Sequence, residues 1–421
     1  MSEITEITTL DSGLRVASLP MASVQTASVG IWVDVGARYE APEVNGVAHM
    51  LEHMAFKGTE RRSARAIAEA IENVGGHLNA YTSREHTAYY ARIMADDLPL
   101  AVDLLADILQ HSAFDEAELA RERGVVVQEI GQTQDTPDDL VFDLFQETAF
   151  PGQPLGRSIL GPAELVAAMP RRALVDYMAH HYGPARLVLS AAGKVEHDRV
   201  VELADRLFRE LPTPPVAAAP PARYEGGEVR EERELEQVHL LIGLPAFSYL
   251  DDDFYALQVF STMLGGGMSS RLFQEVRENR GLAYSVFSFA SSYADTGLFG
   301  IYAGTGENET AELVPVVCDE LLKMIEQPTE EELARARAQL KASLMMALES
   351  CFAQSEELAR QLLIFGRRIP PDEIVARIDA VDESALRRVG RRLLTGVGPT
   401  LAAIGPLQQL PDLDAIRRRL Q

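Results

Sequence analysis

A proline-rich segment divides this chain of 421 residues almost in half, and the two halves repeat the same order of patterns. The segment, Leu211–Pro221, reads LPTPPVAAAPP, a composition typical of a semi-rigid connector. An apolar, β-rich run opens each half, at Val29–Val35 and at Val238–Leu244, and each run precedes a helical pattern, a glycine-marked turn, further strands and long helices. The sequence therefore predicts a duplication. The predicted divisions are a first domain at 1–212, a linker at 213–228 and a second domain at 229–421.

The first half contains the sequence HMLEH at positions 49–53, which predicts a metal-binding helix with a catalytic carboxylate. Residues four apart lie on one face of an α-helix, so His49 and His53 can both offer a ring nitrogen to one cation, as a zinc site requires. Glu52 lies on nearly the same face, where a general base for hydrolysis must be. This order, His-x-x-Glu-His, is the inverted zinc-peptidase motif. Because the last histidine of the chain is His239, the second half cannot repeat such a site.

A catalytic zinc usually takes three protein ligands, so a third ligand is needed from elsewhere in the chain. Glu122 and Glu129 are candidates because they stand seven residues apart and share a face of a predicted helix. Leu119, Val126 and Ile130 recur at helical spacing, which brings part of that face into the interior, where an acid needs a partner. Taken alone, an acidic pair on a charged helix is also typical of a solvated surface.

The clearest repeated sequence in the two halves is ELARE, which begins at Glu118. A similar sequence, ELARA, occurs 214 residues later. At that offset Glu122 and Glu129 become Ala336 and Ser343. One half therefore carries the predicted metal site, and the other half must have a different role.

The chain resembles the pitrilysin family of metallopeptidases, and most closely the branch that contains the mitochondrial processing peptidase and its bacterial relatives. In that family a glutamate ligand follows 76 residues after the second histidine of the motif, and that position here is Glu129. A second family glutamate, seven residues earlier, matches Glu122. The resemblance covers nearly the whole chain. Its further motifs are Gly36–Glu40, Asn45–His49, Phe56–Thr59, Gly75–Glu85 and Gly156–Gly161.

This resemblance implies two tandem homologous α+β domains, each a mixed sheet with helices packed on it, in a half-clamshell with one live and one degenerate half. It also implies zinc (Zn²⁺) as the cofactor, held by His49, His53 and Glu129. Glu122 would orient a ligand histidine. Glu52 would take a proton from water and later hand it to the leaving amine.

Residues of the second half are assigned to catalysis by the same resemblance. Arg277 and Tyr284 match an Arg and a Tyr that reach from the degenerate half into the catalytic chamber of pitrilysin relatives. A guanidinium binds a carbonyl or carboxylate, and a phenol can donate to a developing oxyanion. Upstream, Gly265–Gly267 resembles the glycine-rich segment of this branch, but the residues equally permit a plain turn between two helices.

The glycine pair at 75–76 ends a predicted helix over 64–74, and the residues that follow alternate like a strand. In the family this strand is an exposed edge beside the zinc, and extended peptide adds to it through backbone hydrogen bonds. The resemblance thus makes Asn79, Ala80 and Tyr81 candidate substrate-binding residues. The histidines that match no ligand position are His77, His86, His111, His180 and His181.

The composition limits the partners and the compartment. A net charge of −24 argues against nucleic acid and against attraction to an anionic membrane, and it permits a preference for cationic peptides, although solubility alone explains it equally well. No transmembrane run, secretion signal or basic transit peptide is visible, so we expect a bacterial-type cytoplasmic protein. Cys318 and Cys351 stand in no metal or redox spacing, and both are expected to be reduced.

The expected function is a zinc endopeptidase that acts on unfolded peptides or presequence-like segments. One alternative is a non-catalytic subunit of the same fold, structural or peptide-binding, against which the intact motif argues. A narrower alternative is a peptidase that works only with a separate degenerate partner chain. Relatives enclose substrate in a chamber made from two such chains or from one chain of double length. The resemblance therefore implies a homodimer, or a heterodimer with a degenerate homologue, in which Arg277 and Tyr284 of one subunit complete the zinc site of the other.

Overall fold

A computed structural model describes residues 4–216 and 218–421 of the chain. None of the described helices combines the length and the apolar character needed to cross a bilayer. The strands are β1 (Glu6–Thr9), β2 (Arg15–Pro20), β3 (Thr26–Val33), β4 (His77–Thr82), β5 (Thr87–Met94), β6 (Leu187–Gly193), β7 (Gly227–Glu232), β8 (Val238–Ala246), β9 (Ala283–Ser292), β10 (Gly297–Thr305) and β11 (Thr400–Gly405). The helices are α1 (Val47–Ala55), α2 (Ala64–Glu72), α3 (Leu98–Gln110), α4 (Glu116–Gln134), α5 (Pro137–Ala149), α6 (Ala163–Ala168), α7 (Arg171–His181), α8 (His197–Leu207), α9 (Phe254–Gly265), α10 (Thr310–Glu326), α11 (Glu330–Leu348), α12 (Cys351–Phe365), α13 (Pro371–Asp379), α14 (Glu383–Leu394) and α15 (Leu413–Arg419).

The described strands form a six-stranded sheet in the order β1-β2-β6-β3-β5-β4 and a five-stranded sheet in the order β7-β11-β8-β10-β9. Both sheets are mixed, because β2 is parallel to β6 and β7 is parallel to β11, whereas the other neighbours are antiparallel. Apart from β1, the two sheets have the same strand order when the strands are matched along the chain. Helices α4 and α11 match as well, since each has 19 residues and their first residues are Glu116 and Glu330. The predicted duplicated α+β fold is confirmed.

The chain divides into two compact units that differ from the two sequence halves. Helix α5 of the first half belongs to the second unit, and helix α12 of the second half belongs to the first unit. The first unit contains the residues up to 131, 158–220 and 345–368, and the second unit contains 132–157, 221–344 and 369–421.

The apolar faces of the exchanged helices explain this division. Val141 and Phe145 of α5 are buried in one cluster with Leu241 of β8 in the second unit. Leu358 of α12 is buried in a cluster with Trp32 of β3 in the first unit. Each helix therefore covers the sheet of the other half, where its burial is favourable.

The predicted domain divisions do not describe this exchange. The divisions at 1–212, 213–228 and 229–421 stay a prediction of where each repeat begins and ends along the sequence. Strand β7 begins at Gly227, inside the predicted linker. One boundary between the compact units, at 220/221, lies inside the predicted linker, but the exchange of α5 and α12 adds further boundaries, because long-range packing decides which helix joins which sheet.

Strand β3 shows how the first sheet is covered on both faces. Val29 and Ile31 belong to the main core of the first unit together with Leu104 of α3, whereas Trp32 faces the cluster formed by α12. A strand that is buried on both faces reads as a continuous apolar run, which is the pattern the sequence shows here. The sheet therefore packs against helices on both faces, and its edge strand β4 is part of the same packed structure.

The residue before helix α1 is a glycine, Gly46, in a backbone conformation that other residues rarely adopt. Gly46 has a φ of +96°, and a Cβ atom added there would lie 2.6 Å from the carbonyl oxygen of Leu160. Gly124, inside α4, differs on both counts, since it has no positive φ and nothing lies within 4 Å of an added Cβ.

We expect Gly46→Ala to lower the free energy of unfolding by about 1–3 kcal/mol, because alanine in the left-handed region is strained. The matched control Gly124→Ala should raise it by about 0.5–1 kcal/mol, because alanine restricts the unfolded backbone and fits the helix. Urea denaturation of the two variants and the wild type measures both effects. An unchanged or higher stability of Gly46→Ala would contradict the geometry of this helix start.

Candidate metal centre

Helix α1 places the two histidines of the motif side by side. The ring centroids of His49 and His53 are 4.7 Å apart, and the rings meet edge to face. The apolar side chains of Met50, Leu51 and Met54 are buried and hold the helix against the core of the first unit. The two imidazoles are thus fixed by the helical spacing and by the packing of the opposite face.

Helix α4 brings a carboxylate to the same point. The Oε2 atom of Glu129 lies 3.7 Å from Nε2 of His49 and 3.5 Å from Nε2 of His53. The three ligand atoms lie within 4.8 Å of one another. Within residues 4–216 and 218–421, these side chains form the one group of three or more His, Cys, Asp or Glu that meets this geometry.

The three groups fit a zinc ion. Two imidazole nitrogens and one carboxylate oxygen are a known ligand set of catalytic zinc sites, which keep a fourth position open. Burial lowers the pKa of His49 to about 4, with a further contribution from His53, so the ring is neutral near pH 7, as a metal ligand must be. The Nδ1 atom of His49 is buried without a hydrogen-bond partner among the described residues. A cation bound by the opposite ring nitrogen would give the His49 ring a polar partner.

Glu122 lies behind this group of ligand atoms and contacts His53. Its Oε2 atom lies 3.1 Å from Nδ1 of His53, and its Oε1 atom lies 2.7 Å from Nζ of Lys57. Glu122 is only 5% exposed. The contact with Nδ1 leaves Nε2 of His53 directed at Glu129, so the geometry suits the predicted orienting role of Glu122.

Lys57 has no role in the sequence predictions, although it is part of a motif that carried the family resemblance. It stands two residues after the end of α1 at Ala55, so helical spacing from His53 could not have predicted its contact with Glu122. It balances the charge of a nearly buried carboxylate, which would otherwise be costly to bury.

Glu52 contacts the end of strand β4. Burial raises the pKa of Glu52, while hydrogen bonds from the hydroxyl and the backbone of Thr82 act in the opposite direction. A carboxyl group with a raised pKa is suited to accept a proton and to return it. Thr82, which the sequence analysis did not single out, thus connects the candidate base to the strand beside it.

Strand β4 lies at the edge of the six-stranded sheet and pairs with β5 alone. The backbone N–H of Ala80 donates to the side-chain Oδ1 of Asn79 at 2.9 Å. This N–H therefore has its partner outside the sheet ladder, on the open side of the strand. Tyr81 is held on the face of the sheet that α12 covers. Its hydroxyl donates to Glu356 of α12 at 2.7 Å and accepts from Nε1 of Trp32 at 3.3 Å.

Arg277 and Tyr284 belong to the second unit and contact each other there. The guanidinium of Arg277 lies 4.5 Å from the ring centroid of Tyr284 and 4.8 Å from that of Phe273, a cation–π arrangement. Arg277 lies on a π-helical segment, Phe273–Asn279, and the Tyr284 residue is 72% exposed. Their predicted catalytic role stays a prediction.

The glycine-rich segment of the second unit forms a tight turn. Helix α9 ends at Gly265, where an added Cβ would lie 2.4 Å from the backbone nitrogen of Ser288. At Gly266 an added Cβ would lie 2.6 Å from Cα of Thr262. Close approach of the backbone thus explains why glycine stands at positions 265 and 266 of this turn.

The remaining histidines and the cysteines lie apart from the three ligand atoms. Burial, together with the charge of Arg360, lowers the pKa of His86 to about 4, and its Nε2 atom lies 3.7 Å from a carboxylate oxygen of Asp34. Both Cys318 and Cys351 are free thiols. Apart from His86, the histidines outside the group described above are His77, His111, His180, His181, His197 and His239.

Comparison with family profiles gives two adjacent matches. Residues 15–163 match the profile "Insulinase (Peptidase family M16)". Residues 168–340 match the profile "Peptidase M16 inactive domain". The first match includes His49, Glu52, His53 and Glu129, and the second begins after them.

Curated relatives are similar over almost the whole chain. The probable mitochondrial-processing peptidase subunit beta of Arabidopsis thaliana is 43% identical over 99% of this chain and 81% of its own length. The mitochondrial-processing peptidase subunit beta of Homo sapiens is 42% identical over 99% of this chain and 87% of its own length. An uncharacterized zinc protease of Rickettsia felis is 40% identical over 96% of this chain and 98% of its own length.

Solved structures of low sequence identity share the fold. The crystal structure of a protease from Helicobacter pylori superposes with a TM-score of 0.90 at 24% identity, over 96% of this chain and 100% of that chain. A chain of Complex III2 from Candida albicans superposes with a TM-score of 0.88 at 21% identity, over 99% of each chain. At these identities the likeness shows the fold alone.

Proposed function

Because the chain belongs to the insulinase-type peptidase family M16, we propose that it is a zinc-dependent endopeptidase that hydrolyses unfolded peptides or presequence-like segments. The motif-based resemblance to this group of metallopeptidases is confirmed, and the chain is a metallopeptidase by family. The observation that carries the proposal is the meeting of His49, His53 and Glu129 within 4.8 Å, with Glu52 on the same helix as the two histidines.

In this mechanism His49, His53 and Glu129 would hold the zinc ion. Zinc, when bound, supplies a Lewis acid that polarises the scissile carbonyl and makes water a better nucleophile. Glu52 accepts the proton of the attacking water and later donates it to the leaving amine. Thr82 favours the ionised form of Glu52, which is the form that accepts the proton.

Glu122 orients His53 in this proposal. It accepts the Nδ1 proton of His53, which fixes the ring so that Nε2 is available as a ligand. Lys57 pairs with the other carboxylate oxygen of Glu122 and holds it in place. Such outer contacts support both the affinity for metal and the geometry of the site.

We expect Glu52→Gln to keep near-normal zinc content and to lose turnover, because a base that is not a ligand is removed. Glu129→Gln should lose both zinc and turnover. Glu116→Gln, an exposed position on the same helix as Glu129, serves as the control and should keep both. Metal analysis and a fluorogenic peptide assay measure the two properties. Stoichiometric zinc in Glu129→Gln would remove Glu129 from the proposed ligands.

We also propose that substrate adds to strand β4 as an extra strand. The edge position of β4 and the outward N–H of Ala80 support this, since an exposed edge offers free backbone donors and acceptors. Asn79 would release the N–H of Ala80 to a peptide carbonyl. Tyr81, hydrogen bonded to Glu356 and Trp32, would hold the strand in place. Backbone pairing suits a broad range of unfolded peptides, and the charge of −24 permits a preference for cationic ones.

Ala80→Pro tests this strand because proline lacks the N–H and is tolerated at an edge position whose N–H faces outward. We expect it to impair cleavage of long peptides while zinc content stays normal. The control Ala80→Gly keeps the N–H and should retain cleavage. Unchanged activity of Ala80→Pro toward long peptides would refute the pairing.

We further propose that the active form is a dimer, most simply a homodimer. The names of the Arabidopsis thaliana and Homo sapiens relatives, both beta subunits, support an assembly. Arg277 and the exposed Tyr284 form a cation–π pair that can serve a site on a second subunit. In this proposal they bind a substrate carbonyl or carboxylate and donate to the developing oxyanion at the partner's zinc centre.

Mixing two inactive variants, Glu52→Gln and Arg277→Ala, tests the shared site. Under conditions that exchange subunits, a mixed dimer regains one intact site if Glu52 of one chain works with Arg277 of the other. If both residues act within one chain, no combination is intact and activity stays absent. Mass spectrometry confirms the exchange, and inactive mixed dimers would reject the shared site.

Two other functions are alternatives to a homodimeric peptidase. A non-catalytic subunit would bind peptides without cleaving them, and the complete set of His49, Glu52, His53 and Glu129 speaks against it. A peptidase that requires a separate degenerate partner chain would bind zinc but cleave nothing alone. Assay of the purified chain with a fluorogenic peptide separates these possibilities from the homodimer.

A further inference from the structure

The start of helix α1 lacks a cap from its own N-cap residue. Helices usually begin at Ser, Thr, Asp or Asn, whose side chain accepts a hydrogen bond from an N–H of the first turn. Here the N-cap residue is Gly46, with a φ of +96° and the Leu160 carbonyl oxygen 2.6 Å from an added Cβ. That position has no room for a capping side chain, so the free N–H groups need another acceptor.

Glu40 provides this acceptor from six residues upstream. Its Oε2 atom accepts from the N–H of Gly46 at 2.8 Å, and its Oε1 atom accepts from the N–H of Ala48 at 2.8 Å. The side-chain amide of Asn45 also donates to Oε2 at 2.7 Å. Glu40 is only 3% exposed, so these bonds form away from bulk water.

The segment that carries Glu40 is itself held in place. Ala37 and Arg38 donate backbone N–H bonds to the carbonyl oxygens of Ser83 and Arg84, in the turn after β4, at 3.1 and 2.8 Å. Asn45 donates a second bond to the Ser158 carbonyl oxygen at 3.1 Å. The carboxylate is therefore presented to the helix by a fixed backbone.

We propose that Glu40 is a positioning residue for the metal centre. The Glu40 carboxylate accepts the N–H of Ala48 and so fixes the first turn of α1. His49 is the next residue after Ala48. A negative charge at a helix N-terminus also interacts favourably with the helix dipole. Glu40 acts through the backbone and not through contact with the metal, and the inference rests on the proposed zinc site.

The isosteric variant Glu40→Gln separates the charge from the shape. A glutamine offers one acceptor oxygen, and its amide group would face the second backbone donor, so one buried N–H loses its partner. We expect the affinity for zinc, measured by competition with a chelator, to fall by about 10- to 100-fold. In the zinc-free protein, amide hydrogen exchange should rise in the first turn of α1 and stay unchanged in α4.

Glu43→Gln is the matched control, because Glu43 is exposed, lies three residues further along and carries the same charge. Its zinc affinity and its exchange in α1 should equal those of the wild type. At saturating zinc, Glu40→Gln should recover most of its turnover, since Glu40 touches no substrate. A general folding defect would not be rescued in this way, so absence of rescue would overturn the positioning role.

The outcomes separate this inference from the proposed function. Wild-type protein that binds no zinc would refute the zinc site, while the exchange measurement would still test the cap. Zinc affinity and α1 exchange equal to wild type in Glu40→Gln would overturn the role of Glu40 and leave the zinc site standing. If Glu40→Gln does not fold, Glu40→Asp takes its place, because its carboxylate is one methylene shorter. Wild-type values in that variant would overturn the proposal equally.

Discussion

The burial of one carboxylate between a histidine and a lysine determines how the candidate metal centre is assembled. Glu122 lies on α4, while its partners His53 and Lys57 lie on α1 and directly after it. A buried charge is tolerated when it is paired and hydrogen bonded, so these contacts fix the approach of the two helices together with their apolar packing. Glu129, two helical turns along α4, is carried to the histidine pair by the same approach. The three ligand atoms thus depend on an ion pair that lies beside them.

The second unit repeats the fold without this ion pair. At the offset of 214 residues Ala336 takes the place of Glu122 and is buried in the apolar core, and Ser343 takes the place of Glu129. One turn before Ala336, Glu332 accepts two bonds from the guanidinium of Arg271, at 2.7 and 2.6 Å. The sheet and the apolar faces are enough to preserve the fold, because packing does not require the buried charges. Among the described residues, the ligand geometry therefore occurs in one unit alone.

The exchange of α5 and α12 makes each sheet depend on a helix from the other sequence half. Helix α12 also reaches the back of the candidate substrate strand, where Glu356 accepts the hydroxyl proton of Tyr81. The second half of the sequence thus contributes a helix to the first unit behind strand β4, in addition to the part proposed for Arg277 and Tyr284.

The sequence by itself determined that His49, Glu52 and His53 lie on nearly the same face of one helix, because their spacing follows from local helical geometry. It also determined the duplication, which appears in a repeated helical segment and in two apolar runs. Helical spacing made Glu122 and Glu129 both candidates, and the choice of Glu129 as the ligand came from the family resemblance, since no local rule connects residues on separate helices. Only the tertiary structure decided the helix exchange and the contacts made by Glu40 and Lys57. These depend on which distant surfaces bury one another, and local periodicity carries no information about such contacts.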